Sequence, residues 1–98
     1  MSDVDAAPDE TDDEFNQVTA ATARDVLTYI VESLVGEPDE VEIEVDDSGR
    51  RVALNVTVAK DDMGRVIGKR GRVAQAIRQV VRAAAVRDGV EVDVEFVD

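Results

Sequence analysis

The sequence predicts an α+β fold of order α-β-β-α-α-β, with three helices on one face of a three-stranded mixed sheet. Three observations carry that prediction. Apolar residues recur at helical spacing over residues 23–34 and again over residues 73–84. They alternate with acidic, polar or small residues over 41–46, 52–58 and 90–96, the period of a half-buried strand. Turn and breaker residues punctuate the joins between these stretches.

The first helix is expected to start near Thr19 or Thr22, where Thr22-Ala23-Arg24-Asp25 fits a loose capping pattern. Ala23, Leu27, Ile30, Val31 and Leu34 form its apolar stripe, and Gly36 and Pro38 end it. Val41, Ile43 and Val45 then alternate with Glu42, Glu44 and Asp46. Asp47-Ser48-Gly49 supplies a turn, and Val52, Leu54, Val56 and Val58 alternate again, giving a hairpin with one apolar face. Asp61 and Asp62 are placed to cap a short helix that ends at Gly68. Val73, Ile77, Val80, Val81 and Ala84 line one side of a longer helix, which Gly89 terminates. Val90, Val92, Val94 and Phe96 make the last strand. The helical pair before it is long enough for a crossover, so this strand is free to run parallel to the second.

Ninety-eight residues allow one domain. Asp3, Asp5, Asp9, Glu10, Asp12, Asp13 and Glu14 meet no basic residue in a segment poor in bulky apolar side chains. Residues 1–19 are therefore expected to form a disordered acidic tail, and residues 20–98 the folded domain. The absence of cysteine excludes disulfides, a thiolate zinc site and a cysteine nucleophile. The absence of histidine removes the usual metal ligand and the usual general base near neutral pH. Asp46-Asp47 and Asp61-Asp62 lack calcium-loop spacing, and turn and cap chemistry accounts for them. The N-terminus is acidic where a signal peptide is basic then apolar, and no apolar run approaches the ~20 residues of a membrane span. The expectation is a cytoplasmic protein that is not an enzyme, with no metal, no cofactor and no membrane partner.

The chain carries 23 acidic against 11 basic residues, a formal net charge of -12, yet its charges are segregated. Arg65, Lys69, Arg70, Arg72, Arg78, Arg82 and Arg87 all fall in a window from Gly64 to Arg87 that holds no acid. For partner choice, this basic island matters more than the acidic total. At its heart lies Val66-Ile67-Gly68-Lys69-Arg70-Gly71-Arg72. Two glycines without Cβ atoms let a polyanion lie against the main chain. Helix N-terminal amides favour negative charge at the same spot, and Lys69 and Arg70 reach flanking phosphates. Two such glycines alone need be no more than a turn between helices; the enclosed Lys-Arg pair, the acid-free flanks and the element order favour phosphate. The loop is not a nucleotide-hydrolysing P-loop, because only three residues lie between Gly64 and Gly68 where four are needed, and Arg70 replaces the magnesium-binding hydroxyl. The acidic outer sheet face repels phosphate, and Phe15, Tyr29 and Phe96 are not placed for base stacking, which argues against recognition across an open sheet.

A strand, a short helix, Ile-Gly-x-x-Gly and a second helix form the core of a KH domain, and the chain resembles one from about Ala20 to Asp98. The preceding helix and hairpin match the type II arrangement. The stretch from Asp61 to Ala74, with Gly36-Glu37-Pro38-Asp39-Glu40-Val41 after the first helix, is similar to the small single-domain bacterial KhpA family. That resemblance implies an RNA-binding protein without enzyme activity, which self-associates and pairs with a larger KH protein of the KhpB type. It further implies post-transcriptional control, or RNA chaperoning, linked to cell division, elongation and shape. The acidic tail is longer than the family leads one to expect, and Ala74 stands where many other KH domains carry a bulkier apolar residue.

The site expected on these grounds comprises Ile67, Gly68, Lys69, Arg70, Gly71 and Arg72, gripping about four nucleotides of single-stranded RNA. Bases are expected in a groove between this loop and a sheet edge near Val52 to Val58. Arg72 is favoured over Arg78 and Arg82, because a cation in the first helical turn opposes the helix dipole unless an anion arrives. Ile77 is expected in the core, and Ile67 in both core and groove. The rival reading is a protein adaptor or dimerisation module for which RNA is incidental.

Overall fold

A computed structural model describes residues 19–97. Apart from Thr19, the expected tail lies outside these residues, as does Asp98. Helix α1 spans Ala21–Leu34, strands β1 and β2 span Glu42–Asp46 and Val52–Thr57, and the short helix α2 spans Met63–Ile67. The long helix α3 runs over Arg72–Asp88 and strand β3 over Val92–Phe96. Short 3-10 turns at Pro38–Glu40, Lys60–Asp62 and Lys69–Gly71 fill three of the joins. The expected order of elements is the observed one.

The sheet order is β1-β2-β3. β1 pairs antiparallel with β2, placing Val45 opposite Leu54, and β3 pairs parallel with β2, placing Val94 beside Leu54. The crossover through α2 and α3 thus delivers a parallel strand. It also makes β2 the central strand, which overturns the expected groove border: residues 52–57 have a neighbour on both sides, and the free edges belong to β1 and β3.

Period-two alternation sends Val52, Leu54, Val56, Val92 and Val94 to one face, where they are buried beneath the helices. Ala23, Leu27 and Val31 of α1, Val66 of α2, and Ile77, Val81 and Ala85 of α3 close over them. Burial of each of the larger side chains stabilises by about 1.5–3 kcal/mol. Ala74, Ile77, Val81 and Ala85 form the inward stripe of α3, whereas Val73 and Ala84 are half-buried and Val80 is 49% exposed. Val73 and Val80 of the expected stripe instead line a hollow with Ile30 and Leu34 of α1. Ala74 and Ala85 take buried positions because small side chains permit a close approach there, a tertiary preference that hydropathy ranking does not encode.

Two carboxylates tie the helices together across long stretches of chain. Ala20 occupies the N-cap of α1 and makes no side-chain cap, so Thr22 is not the capping residue. Asp88, in the last turn of α3, accepts hydrogen bonds from the Thr22 and Ala23 amides at 3.0 and 2.9 Å. Asp62 likewise does not cap α2. It is 4% exposed and accepts from the Gly36 and Glu37 amides at 3.0 and 3.1 Å, with Arg65 3.5 Å away. Asp62 thereby fastens the turn after α1 to the base of the helix that leads into the glycine loop.

Burial works to raise the Asp88 carboxyl, but the hydrogen bonds from Ala23 and Thr22 outweigh it and hold the group below its ordinary value of 3.8. A depressed folded pKa contributes stability that is present above the ordinary value and lost as pH falls through the folded one. Asp88→Ala is expected to destabilise the domain by about 1 kcal/mol near neutral pH, as removal of a helix cap does. Melting curves of the two proteins should converge as pH falls below 3.8. A difference that persists unchanged into strong acid would contradict the charged cap.

The outer face of the sheet is acidic and exposed on β1, where Glu42, Glu44 and Asp46 alternate with inward residues. On the β3 side, Arg51 binds Glu91 at 2.6 Å and Asp93 at 2.8 Å, and its hydrogen bond holds the Asp93 carboxyl below the ordinary range. Among the described residues, no helix is long and apolar enough to cross a membrane.

Candidate nucleic-acid interface

Helix α2 lasts only five residues because Gly68 ends it at φ 78°, ψ 173°, a conformation almost confined to glycine. An added Cβ at Gly68 would lie 2.3 Å from Val73 Cγ2 and 2.9 Å from the Val73 amide nitrogen. Gly68 is required both for its conformation and for the close passage of the chain beneath α3. Arg70 and Gly71 follow in the left-handed region, at φ 59° and 73°, and turn the chain into α3. A Cβ at Gly71 would meet nothing within 4 Å, so this glycine serves conformation and leaves bare backbone facing solvent. Arg70 is the only non-glycine residue with positive φ among those described.

The amides divide differently from the sequence expectation. Gly68 N–H bonds the Gly64 carbonyl at 2.9 Å, Gly71 N–H bonds the Gly68 carbonyl at 3.1 Å, and Arg72 N–H bonds the Lys69 carbonyl. The glycines' own donors are therefore taken. Among the turn and cap bonds of the described residues, none is donated by the Lys69 or Arg70 amide. The donors left for an anion are those of the two basic residues, with the first turn of α3 behind them.

The basic island also divides. Arg65 lies 3.5 Å from Asp62, Arg82 lies 3.9 Å from Asp93, and Arg78 donates to the Val94 carbonyl at 3.1 Å. Lys69, Arg70 and Arg72 are exposed, and among the described residues none of them forms an ion pair. Three unneutralised cations thus surround the loop, and the structure brings together the loop residues singled out in the sequence. Ile67 is half-buried at the loop's base and packs against the core, while Ile77 lies within the core.

A hollow of about 470 Å³ lined by Val58, Lys60, Met63 and Val97 lies where β2 and β3 end and α2 begins. Beside it, α3 approaches the free edge of β3, and the Arg78 guanidinium lies over the Phe96 ring at 5.7 Å. The free sheet edge that α3 reaches is therefore β3. Sequence reasoning weighed Arg78 but ranked it below Arg72, and did not place Val94 or Phe96 beside it. The signal for them was topological: a parallel strand added beside β2 has to become an edge.

This order of elements, with a parallel third strand and a Gly-Lys-Arg-Gly loop between two helices, defines a KH domain of type II, a binding module and not an enzyme. A family model for the KH domain of KhpA and KhpB matches residues 24–96. RNA-binding protein KhpA of Clostridium acetobutylicum is 45% identical over 74 residues, covering 76% of this chain and 99% of that protein. RNA-binding protein KhpA of Bacillus subtilis is 40% identical over 74 residues, covering 76% and 91%. The chain belongs to the KhpA/KhpB family of KH-domain proteins. A crystal structure of an Aquifex aeolicus Era variant bound to GDP and aluminium fluoride matches with a TM-score of 0.55 at 16% identity. That match covers 84% of this chain and 30% of Era, and is a likeness of fold alone.

Proposed function

We propose that the protein is a cytoplasmic RNA-binding module that grips about four nucleotides of single-stranded RNA along the loop from Ile67 to Arg72. The observation that carries this reading is the loop itself, where unpaired Lys69, Arg70 and Arg72 and two uncommitted amides converge on exposed backbone. Phosphates lie against Lys69 and Arg70, and bases turn toward the β3 edge. The left-handed strain at Arg70 supports a binding role, because such strain persists where the surroundings hold a residue for function. If two to four phosphates are neutralised, log K should fall against log[salt] with a slope of roughly -1.4 to -2.8. A slope near zero would contradict backbone gripping.

One module with few phosphate contacts binds weakly, and joining two raises affinity through effective concentrations in the millimolar range for short linkages. The reading therefore includes self-association, and pairing with a KhpB-type protein, in a post-transcriptional regulator or RNA chaperone. Supporting it is a largely apolar hollow of about 340 Å³ between α1 and α3, lined by Ile30, Leu34, Val73, Ala76, Ile77 and Val80 and bordered by Arg72 of the loop. Val80 is 49% exposed, so Val80→Asp leaves the monomer's core in place. Light scattering is expected to show a dimer for the unaltered protein and a folded monomer for this variant, with weaker binding to RNA long enough to span two modules. An unchanged mass would remove this face from the interface.

A further inference from the structure

The basic helix and the sheet edge meet at one side chain. Arg78 is half-buried, donates through Nε to the Val94 carbonyl at 3.1 Å, and stacks over Phe96. Val52 N–H bonds the Glu91 carbonyl and Val97 N–H bonds the Val56 carbonyl. In a parallel ladder this turns the backbone of residues 91, 93, 95 and 97 toward β2, and that of Val92, Val94 and Phe96 toward the free edge. A bare strand edge offers a base both carbonyl acceptors and N–H donors. Here Arg78 occupies the Val94 acceptor and sets its guanidinium in front of it. A guanidinium has donors only, and among the described residues no carboxylate pairs with this one.

We infer that Arg78 makes the groove select bases bearing a keto oxygen, uracil and guanine, over bases bearing an amino group, cytosine and adenine. This rests on the RNA-binding reading. Uracil O4 and guanine O6 are acceptors, whereas cytosine N4 and adenine N6 are donors at the corresponding corner of the ring. A keto oxygen entering beside Val94 meets the free guanidinium N–H groups. An amino group meets a carbonyl that already accepts one hydrogen bond, with a guanidinium donor facing it, so it gives up water for a poorer partner. Stacking on Phe96 holds the planar guanidinium in this orientation, which a lysine would not reproduce.

The test uses the full chain and unstructured hexamers of uridine and of cytidine at pH 8. Uridine is expected to bind about fivefold tighter, the lower end of what one good base contact discriminates. In Arg78→Met, which frees the Val94 carbonyl, the two affinities should come within about twofold, with a melting curve showing that the variant folds. A hexamer of pyrimidin-2-one riboside, lacking the oxygen at C4, should bind more weakly than uridine on the unaltered protein and no more weakly than cytidine, a readout that needs no variant. Equal affinities for uridine and cytidine, or a preference that survives in folded Arg78→Met, would overturn the role of Arg78 and leave RNA binding standing. No measurable binding of any hexamer by the unaltered protein would overturn the RNA reading, and the base preference with it.

Discussion

Replacing Lys69 and Arg70 together by Asp is expected to abolish RNA binding while the domain stays folded. Each site changes from attracting a phosphate to repelling it. At 4 Å one unit-charge pair is worth about 1 kcal/mol even in bulk water, so two reversals swing the balance by at least about 4 kcal/mol. That is roughly a thousandfold in affinity, enough to take a weak single-module complex below detection. Neither side chain is buried or ion-paired among the described residues, so no core contact is lost. Aspartate also tolerates the left-handed backbone at position 70 better than most residues. Arg87→Asp serves as the control. It lies in the last turn of α3, about 22 Å along the helix from Arg72, beyond the ~10 Å screening length at 0.1 M salt. Gel shift and circular dichroism should show lost binding in a folded double variant and little change in the control. A folded double variant with unchanged affinity would remove the loop from phosphate binding.

Gly68→Ala is expected to have the largest effect on stability. The alanine Cβ would overlap Val73 at both side chain and backbone, so no rotamer change relieves the clash, and φ 78°, ψ 173° is strained for any residue with a Cβ. Backbone strain of about 1–3 kcal/mol and a steric term of similar size sum to about 3 kcal/mol or more. For a domain of this length that lowers the melting temperature by roughly 12–24 °C. Relief requires Val73, and with it the first turn of α3, to move away from the loop, so RNA affinity should fall as well. Gly71→Ala isolates the conformational part, since its Cβ enters open space. It is expected to cost only about 1–2 kcal/mol. Equal melting temperatures for the two variants would mean that the tight passage at Gly68 does not govern the loop.

Most of the architecture was legible because local rules fix it. Alternation of Val41, Ile43 and Val45, and of Val92 and Val94, with acids named both strands and their buried faces. The glycines at 68, 71 and 89 marked the helix ends, and all three adopt positive φ. The hairpin sets β1 on one side of β2 and the crossover sets β3 on the other, so the central position of β2 follows from the same rules. With it, the free edge that α3 reaches passes from residues 52–58 to β3. The caps were not legible. Capping patterns are read within one turn of helix, whereas Asp62 and Asp88 act across 25 and 65 residues or more. Nor was Arg78, whose partner is a main-chain carbonyl that any residue at position 94 would supply. The face of α3 was placed only in part, at Ile77 and Val81, for a related reason: valine outranks alanine in hydropathy, but close packing favours the smaller residue at 74 and 85.

Backbone amide shifts of the isotopically labelled chain, followed while a short single-stranded RNA is titrated in, test loop-centred RNA binding most directly. The largest perturbations are expected at Gly68, Lys69, Arg70, Gly71 and Arg72, continuing along Val94 and Phe96 at the β3 edge, with Glu42, Glu44 and Asp46 on the outer sheet face unmoved. Perturbations confined to the α1–α3 hollow or to the acidic sheet face, with the loop amides unchanged, would contradict it.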